Sequence, residues 1–495
     1  MDQVSAAASN SAQAGTNAFR CAAPSAALYL NPSGLVSACC GSWHVLGTVT
    51  GPERRSLRDI WHGARRDLLE GAVRSGDTSL GCWECGQAAA EGHRASSLAA
   101  VFDRFTGRHA EYPAILDLAL SNRCNLACVM CNGGLSSTIR ARREGRPPLP
   151  SAYDDRFFDE LDEFLPHVRR FQFKGGEPFL ASENQRIWRR LVDLDLGPEV
   201  CVTTNGTVWS DEVAELVERL RMDVIISVDA VEPDRLRSIR SGINPTAFWR
   251  NVDRFSEIAA RTGAHLELAM CLMAGNWDQL RGLLEVADRR ECDLSVIWVD
   301  GPARFGLLGL PADELGQVAA AMDAQDSVSA PLRPDLERIW EDVRHRVRSA
   351  LRAEPAASRP AEPHGTDVAV TLGKRSAADT VDAVRRQLLE ESGTAEVAQL
   401  RIDHEVFTAV AAPDWSRDLD LDDWVGRGFD ETMFLLGRGT RSVVRAEMDS
   451  LEGGVHVARV ELVTDGGSPR RLLVAYVPPG PGASTGWLLI SQRTR

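Results

Sequence analysis

Cys124-Asn125-Leu126-Ala127-Cys128-Val129-Met130-Cys131 places three cysteines at C-x3-C-x2-C spacing, just after the apolar run Ala114-Ile115-Leu116-Asp117-Leu118-Ala119-Leu120. The run reads as a buried strand, and the loop that follows holds three thiols in one small volume. Three is an odd number and the spacing is tight, so a disulfide pattern does not fit. Three converging thiolates suit a soft metal or an iron–sulfur cluster, with the fourth corner of a cubane left open to a ligand. A zinc site or three unrelated core cysteines are the alternatives.

Around this stretch, from Tyr112 to about Phe305, short β-rich runs alternate with amphipathic helical segments. Strands are expected at Ala114–Leu120, Arg170–Phe173, Val200–Thr204, Asp223–Val228, His265–Met273 and Leu294–Asp300, with helices such as Asp211–Arg221, Ala247–Arg261 and Trp277–Arg290 between them. Such alternation implies a parallel sheet, and six repeats fit a partial (β/α)6 barrel. In barrels of this kind chemistry gathers at the C-terminal strand ends. Lys174-Gly175-Gly176-Glu177-Pro178, Thr203-Thr204-Asn205-Gly206-Thr207 and Ser227-Val228-Asp229 fall at three of those ends, and Ile239-Arg240-Ser241-Gly242 follows the last. Two adjacent glycines let a backbone pass close to a ligand.

Taken together these segments resemble the radical S-adenosylmethionine (SAM) superfamily. The resemblance implies that Cys124, Cys128 and Cys131 hold a [4Fe–4S] cluster whose fourth iron is chelated by SAM. Reductive cleavage of SAM then gives a 5′-deoxyadenosyl radical that abstracts hydrogen from a substrate. It further implies that Gly175, Gly176 and Glu177 contact the SAM amino group, that Asn205 and Ser227-x-Asp229 line the SAM site, that Arg240 pairs with the SAM carboxylate, and that Met130 packs near adenine. An electron donor such as flavodoxin or ferredoxin would supply the reducing electron. Cys201, Cys271 and Cys292 lie on or beside strands, where free cysteine is usually a small core residue. The sharper reading makes Cys271 a hydrogen-atom donor to a substrate radical. Asp117 is either structural or in contact with substrate.

Residues 21–108 contain a second constellation. Cys21 and Cys39 flank a hairpin, Ala27-Leu28-Tyr29-Leu30, a turn at Asn31-Pro32-Ser33-Gly34, and Leu35-Val36-Ser37-Ala38; Cys82-x2-Cys85 follows. Four thiolates complete either a tetrahedral zinc site or a closed [4Fe–4S] cluster. Cys40 is spare and can replace Cys39; His44 is expected at the surface or behind a ligand. Gly34-x4-Cys39, Leu46-Gly47, Ser56-Leu57-x2-Ile60-Trp61 and the C-x2-C pair resemble the twitch domain, a shorter relative of the SPASM domain, which holds an auxiliary cluster; here it precedes the core. A helix is expected over Gln87–Arg108.

The 495 residues and 44% hydrophobic content allow about three domains with sizeable cores. A formal net charge of −14 argues against non-specific binding to DNA or RNA. No apolar run reaches membrane-spanning length, residues 1–20 read as a disordered tail without signal-peptide character, and eleven cysteines without a leader point to a reducing, cytoplasmic setting. Only two basic residues of 56 are lysines, Lys174 and Lys374, which we attribute to codon usage. The core is expected over residues 109–330, a helix and Pro/Ala linker over 331–375, and a separate α+β domain over 376–495, with an amphipathic helix at Ala378–Glu391 and strands at Val406–Ala411, Val443–Met448, His456–Val463, Arg471–Val477 and Gly486–Ser491. Leu419-x-Leu421-x2-Trp424-Val425-Gly426-Arg427-x-Phe429-Asp430 in that domain resembles PAS-like sensors.

The expected protein is a radical SAM oxidoreductase or peptide-modifying enzyme acting on a peptide or small molecule, with the auxiliary cluster accepting an electron from the substrate radical or carrying electrons to the core cluster; redox-neutral epimerisation is the other outcome. An aminoglycoside-type alcohol dehydrogenase and a zinc-stabilised binding scaffold are the other readings.

Overall fold

The computed structural model describes residues 19–352, apart from 43, 53, 79, 91, 93, 95–96, 106–110 and 300–304, together with six strands between 398 and 492. Along the chain, β1 (Ala27–Leu30), β2 (Leu35–Ser37) and β3 (Val45–Thr48) precede β4 (Ile115–Leu118), β5 (Ala127–Cys128), β6 (Arg170–Phe173), β7 (Glu199–Thr204), β8 (Asp223–Ser227), β9 (Arg240–Ser241), β10 (Leu266–Leu272) and β11 (Asp293–Trp298). Six of these, β4-β6-β7-β8-β10-β11, lie side by side in parallel in chain order. This is an α/β fold with a mostly parallel central sheet, consistent with a partial (β/α)6 barrel. All six expected strands form, each within two residues of its expected ends.

The helices between the strands follow from amphipathic spacing and their caps. Asp211–Arg219 starts where the Ser210 hydroxyl accepts from Val213 N–H, and Asp155–Phe164 where Asp154 accepts from Phe157 N–H. Their apolar faces cover one side of the sheet: Phe173 on β6 and Phe179 both meet Trp188 on the helix Ser182–Asp193. Strand residues alternate faces, so Gln172 and the residues in register with it, Asp117 on β4, Tyr29 on β1 and Cys201 on β7, lie on the face opposite the helices.

The N-terminal hairpin is part of this sheet. β1 pairs in parallel with β4 over Ala27↔Ile115 to Leu30↔Leu118, and β2 and β3 add antiparallel strands outside it. One apolar cluster runs from Phe19 to Val347 without a break at the hairpin. Arg54 bridges the two parts through Asp154 at 3.0 Å and Glu160 at 3.2 Å, and Glu160 also accepts from Leu57 N–H. The expected helix over Gln87–Arg108 is two shorter pieces, a helix at Trp83–Ala90 and a 3₁₀ segment at Leu98–Phe105.

After the core come two helices, Ala312–Val328 and Pro334–Arg352. A second, antiparallel sheet then has β12 (Ala398–Asp403), β13 (Val406–Ala411), β14 (Ser442–Ser450), β15 (His456–Val463), β16 (Pro469–Val477) and β17 (Thr485–Gln492) in the order β13-β12-β17-β16-β15-β14. Five of these were expected from the sequence. The Pro/Ala linker, the helix expected at residues 378–391 and the PAS-like Leu419–Asp430 segment lie outside the described residues. No helix among the described residues is long and apolar enough to cross a membrane.

Candidate active site

The cysteine loop begins where β4 ends. β5, which contains Cys128, forms a two-residue antiparallel ladder with β9, pairing Ala127 with Ser241 and Cys128 with Arg240. Val129 N–H donates to Ile239 C=O at 2.9 Å beside it. The ladder therefore carries Arg240 to the edge of the cysteine loop. Ser136, Ser137 and Thr138 tie the rest of the loop down, with Ser136 donating to Leu126 C=O and Thr138 to Cys124 C=O, each at 2.7 Å. Arg143 donates to the carbonyls of Cys128 and Cys131. The three thiols stay half-buried. Burial raises the Cys128 thiol to about 11, against the lowering pull of Arg240, and raises Cys124 and Cys131 as well.

The two glycines of Lys174-Gly175-Gly176-Glu177-Pro178 bring one backbone close to another. The backbone they let approach is the cysteine loop's own. Gly176 N–H donates to Ser121 C=O at 2.9 Å and Glu177 N–H to Arg123 C=O at 2.7 Å. A Cβ on Gly176 would meet Arg123 O at 2.3 Å, and Gly175 has φ +110°. Glu177 is 1% exposed. Its carboxylate accepts from Thr204 Oγ1 at 2.8 Å, Asn205 N–H at 2.7 Å and Phe179 N–H at 3.2 Å. Burial pushes it up to about 7 despite those donors. Glu177 thus clamps the third strand end to the second and keeps lone pairs for a further donor.

Asn205 reaches back from the end of β7 to the cysteine loop. Its Nδ2 donates to Asn125 Oδ1 at 3.0 Å and lies 3.8 Å from Cys124 Sγ. Ser227 ends β8 on the face opposite the helices, half-buried. Asp229 is fully buried and meets Arg240 at 2.7 Å, Nε to Oδ2. Its other oxygen accepts Cys271 N–H at 2.8 Å. Arg240 is therefore a buried, paired cation rather than a surface charge. Cys271 on β10 lies within electrostatic reach of Asp229, Arg240, Cys128 and Cys131, and burial raises its thiol to about 12. Met130 is half-buried against the core. The structure thus gathers Cys124, Cys128, Cys131, Asn205, Asp229, Arg240 and Cys271 into one region at the strand ends. Cys201 and Cys292 are buried, as expected of core cysteines.

The second constellation also comes together. Cys21, Cys39, Cys82 and Cys85 line one cavity of about 330 Å³, together with Phe19, Leu69, Val73 and Phe102. Burial raises Cys21 to about 11 and Cys82 to about 12, and the Ser42 hydroxyl hydrogen-bonds Cys82. Buried thiols such as Cys21 and Cys82 become stable as thiolates only beside a cation, which an iron–sulfur core or zinc supplies. Cys40 is not in the cavity: it turns away, exposed, and hydrogen-bonds Lys174. His44 is buried, not at the surface, with Nε2 2.9 Å from Arg65 O and its pKa lowered to about 4 by burial. Among the described residues no three Cys, His, Asp or Glu side chains meet closely enough to chelate one ion. Cubane ligands need no such point, since each thiolate holds its own iron.

Sequence reasoning missed the Lys174–Asp117 pair at 2.7 Å. The single lysine at a strand end of this arginine-rich chain was the available signal.

Residues 118–278 match the Radical SAM superfamily. Curated relatives include a GTP 3′,8-cyclase of Limosilactobacillus fermentum, 26% identical over 215 residues (42% of this chain, 58% of the relative). A probable GTP 3′,8-cyclase of Halobacterium salinarum is 35% identical over 123 residues (24% and 32%). A GTP 3′,8-cyclase of Bradyrhizobium diazoefficiens is 27% identical over 260 residues (48% and 69%). The chain spans just over half the length of the first of these and a third of the second. Among solved structures, anSMEcpe with bound AdoMet has a TM-score of 0.32 at 16% identity, covering 42% of this chain and 58% of that one. Streptococcus suis SuiB bound to S-adenosylmethionine has a TM-score of 0.32 at 15% identity, covering 55% and 62%.

Proposed function

We propose, from the match of residues 118–278 to the Radical SAM superfamily, that this chain is a radical SAM oxidoreductase with two [4Fe–4S] centres. In it, Cys124, Cys128 and Cys131 hold the SAM-binding cluster, and Cys21, Cys39, Cys82 and Cys85 hold an auxiliary one. When bound, the first cluster and SAM supply a 5′-deoxyadenosyl radical. The observation that carries the reading is that four cysteines spread over 65 residues line one cavity, beside a sheet whose strand ends gather the other three.

This chain's residues then have distinct tasks. The ladder between Cys128 and Arg240 fixes a guanidinium at the edge of the open-iron site, where its fork suits the SAM carboxylate. Asp229 holds that guanidinium in place. Glu177 accepts from the SAM ammonium with its remaining lone pairs, Asn205 and Ser227 line the site, and Met130 packs beside adenine. Gly175 and Gly176 hold the loop that carries Glu177 against the cysteine loop.

Cys21, Cys39, Cys82 and Cys85 would hold every iron corner of an auxiliary cluster, leaving no position for a second SAM, and such a cluster would supply an electron acceptor for the substrate radical. The net reaction is a two-electron oxidation of a peptide or small molecule, with flavodoxin or ferredoxin as electron donor. The similarity to GTP 3′,8-cyclases supports the core; the matched segments cover too little of those proteins to bring their substrate with it. The twitch-like assignment of residues 21–108 and the PAS-like reading of the C-terminal domain belong to the same proposal, the latter as a partner- or substrate-binding unit. In the zinc-scaffold reading, the N-terminal cavity would hold colourless, redox-inert zinc.

Anaerobically reconstituted protein given SAM and dithionite should release 5′-deoxyadenosine, and Cys124→Ala should abolish it. Equal release by both would overturn the proposal. A redox-neutral reading is favoured by one observation: the Cys271 thiol, kept protonated by burial, lies within electrostatic reach of Cys128 and Arg240, and its backbone N–H is held by the Asp229 that pairs with Arg240, so that it can return a hydrogen atom to a substrate radical.

A further inference from the structure

A polar group outside the proposed SAM site occupies the same end of the sheet. Asp117 on β4 is 3% exposed. Its Oδ2 lies 2.7 Å from Lys174 Nζ, and its Oδ1 is buried without a hydrogen-bond partner among the described residues. It belongs to the row Tyr29, Asp117, Gln172 and Cys201, on the face opposite the helices. Lys174 keeps 29% of its side chain exposed, sits 5.3 Å from the centre of the Tyr29 ring, and hydrogen-bonds Cys40. Tyr29 and Cys40 come from the N-terminal hairpin, Lys174 from the segment that leads into Glu177. The group therefore stands between the cavity of Cys21, Cys39, Cys82 and Cys85 and the loop of Cys124, Cys128 and Cys131.

A buried carboxylate oxygen without a donor costs free energy unless a ligand supplies one. Beside it an ammonium has three N–H donors, of which Asp117 and Cys40 take two. An acceptor and a donor side by side match a group that both donates and accepts at one atom, which is a hydroxyl. Arginine supplies the cation almost everywhere else in this chain. A lysine here is a compact point charge able to face one oxygen, whereas a guanidinium fork prefers two.

We propose that Asp117 and Lys174 form the substrate hydroxyl site: Lys174 donates to the hydroxyl oxygen and Asp117 Oδ1 accepts its proton. This rests on the radical SAM reading and narrows its substrate class to alcohols oxidised to carbonyl compounds. The carbinol C–H bond breaks and its hydrogen atom forms a C–H bond on the 5′-deoxyadenosyl radical. The resulting hydroxyalkyl radical loses its O–H proton to Asp117 and one electron to an oxidised [4Fe–4S] cluster, leaving a C=O bond.

The probe is 2-propanol deuterated at C2, given in excess with SAM and dithionite to the reconstituted full chain. Wild type should place one deuterium in 5′-deoxyadenosine and form acetone. Asp117→Asn and Lys174→Met, checked for iron content, should lower acetone per 5′-deoxyadenosine by about a hundredfold, the scale of a lost acid–base group. A readout independent of turnover uses the two lysines: in protein labelled with [15N]lysine, 2-propanol should shift the Lys174 side-chain signal, assigned with Lys374→Arg, and leave that of Lys374 in place. Equal acetone ratios in the variants, wild-type 5′-deoxyadenosine without deuterium, or an unmoved Lys174 signal would overturn the proposal. Absence of 5′-deoxyadenosine beside a shifted Lys174 signal would overturn the radical reading and keep the hydroxyl site.

Discussion

Removing one partner of the Asp229–Arg240 pair should be among the most damaging single changes in the core. Asp229 is 0% and Arg240 5% exposed, and the two meet at 2.7 Å. Asp229→Ala leaves a buried guanidinium without its counter-ion and also deprives Cys271 N–H of its acceptor. Breaking such a pair costs about 3–5 kcal/mol. At about 2 °C per kcal/mol for a core of this size, the unfolding midpoint falls by about 6–10 °C. Arg240→Ala should cost about the same, because it strands the carboxylate. The double variant Asp229→Leu/Arg240→Met removes both charges and fills the space with apolar atoms, so it should recover most of the loss. The assay is thermal unfolding followed by near-ultraviolet circular dichroism on anaerobic protein. A single-variant shift under about 2 °C, or a double variant as unstable as the sum of the singles, would refute the claim that this pair is a coupled, desolvated element of the site.

Other predictions follow from the same geometry. Glu177 stays protonated in the folded chain up to about pH 7 but ionises above pH 4.5 when unfolded. The native state therefore holds the extra proton in that window, and stability should fall by about 3 kcal/mol from pH 4.5 to pH 7; Glu177→Gln, compared by denaturant titration at both pH values, should lack this decline. Gly176→Ala puts a methyl 2.3 Å from Arg123 O and should cost about 1–3 kcal/mol. Gly71→Ala on the helix Ala64–Ser75, where a Cβ would meet nothing within 4 Å among the described residues, should instead gain about 0.5–1 kcal/mol in the same titration. If Cys271 donates hydrogen, turnover in D₂O without substrate should put deuterium into 5′-deoxyadenosine, and Cys271→Ala should remove it; deuterium that persists in the variant would clear Cys271 of the role.

What the sequence made legible was largely local. The β-rich runs named each parallel strand of the core, because apolar stretches of four to seven residues between amphipathic helices have few other solutions. The cysteine spacings also named the two thiol sets that the fold assembles. The partners of those segments were not legible, because they depend on contacts far apart in the chain. Nothing local says that β1 pairs with β4 and merges the hairpin into the core sheet. The double glycine before Glu177 announces a close approach but not to what, and the neighbour is the loop of Ser121 to Arg123. Cys39 and Cys40 differ by one position, yet one lines the thiol cavity and the other faces Lys174. Nothing in the sequence around Arg240 says that a ladder with Cys128 carries it inward.

The most direct test of the account is iron and acid-labile sulfide content after anaerobic reconstitution. It would compare wild type with Cys124→Ala/Cys128→Ala/Cys131→Ala and with Cys21→Ala/Cys39→Ala/Cys82→Ala/Cys85→Ala. Two [4Fe–4S] centres predict about eight irons in wild type and about four in each variant. About four in wild type, near none in the first variant and no loss in the second would contradict it, leaving the N-terminal cavity without iron and the substrate radical without its electron acceptor.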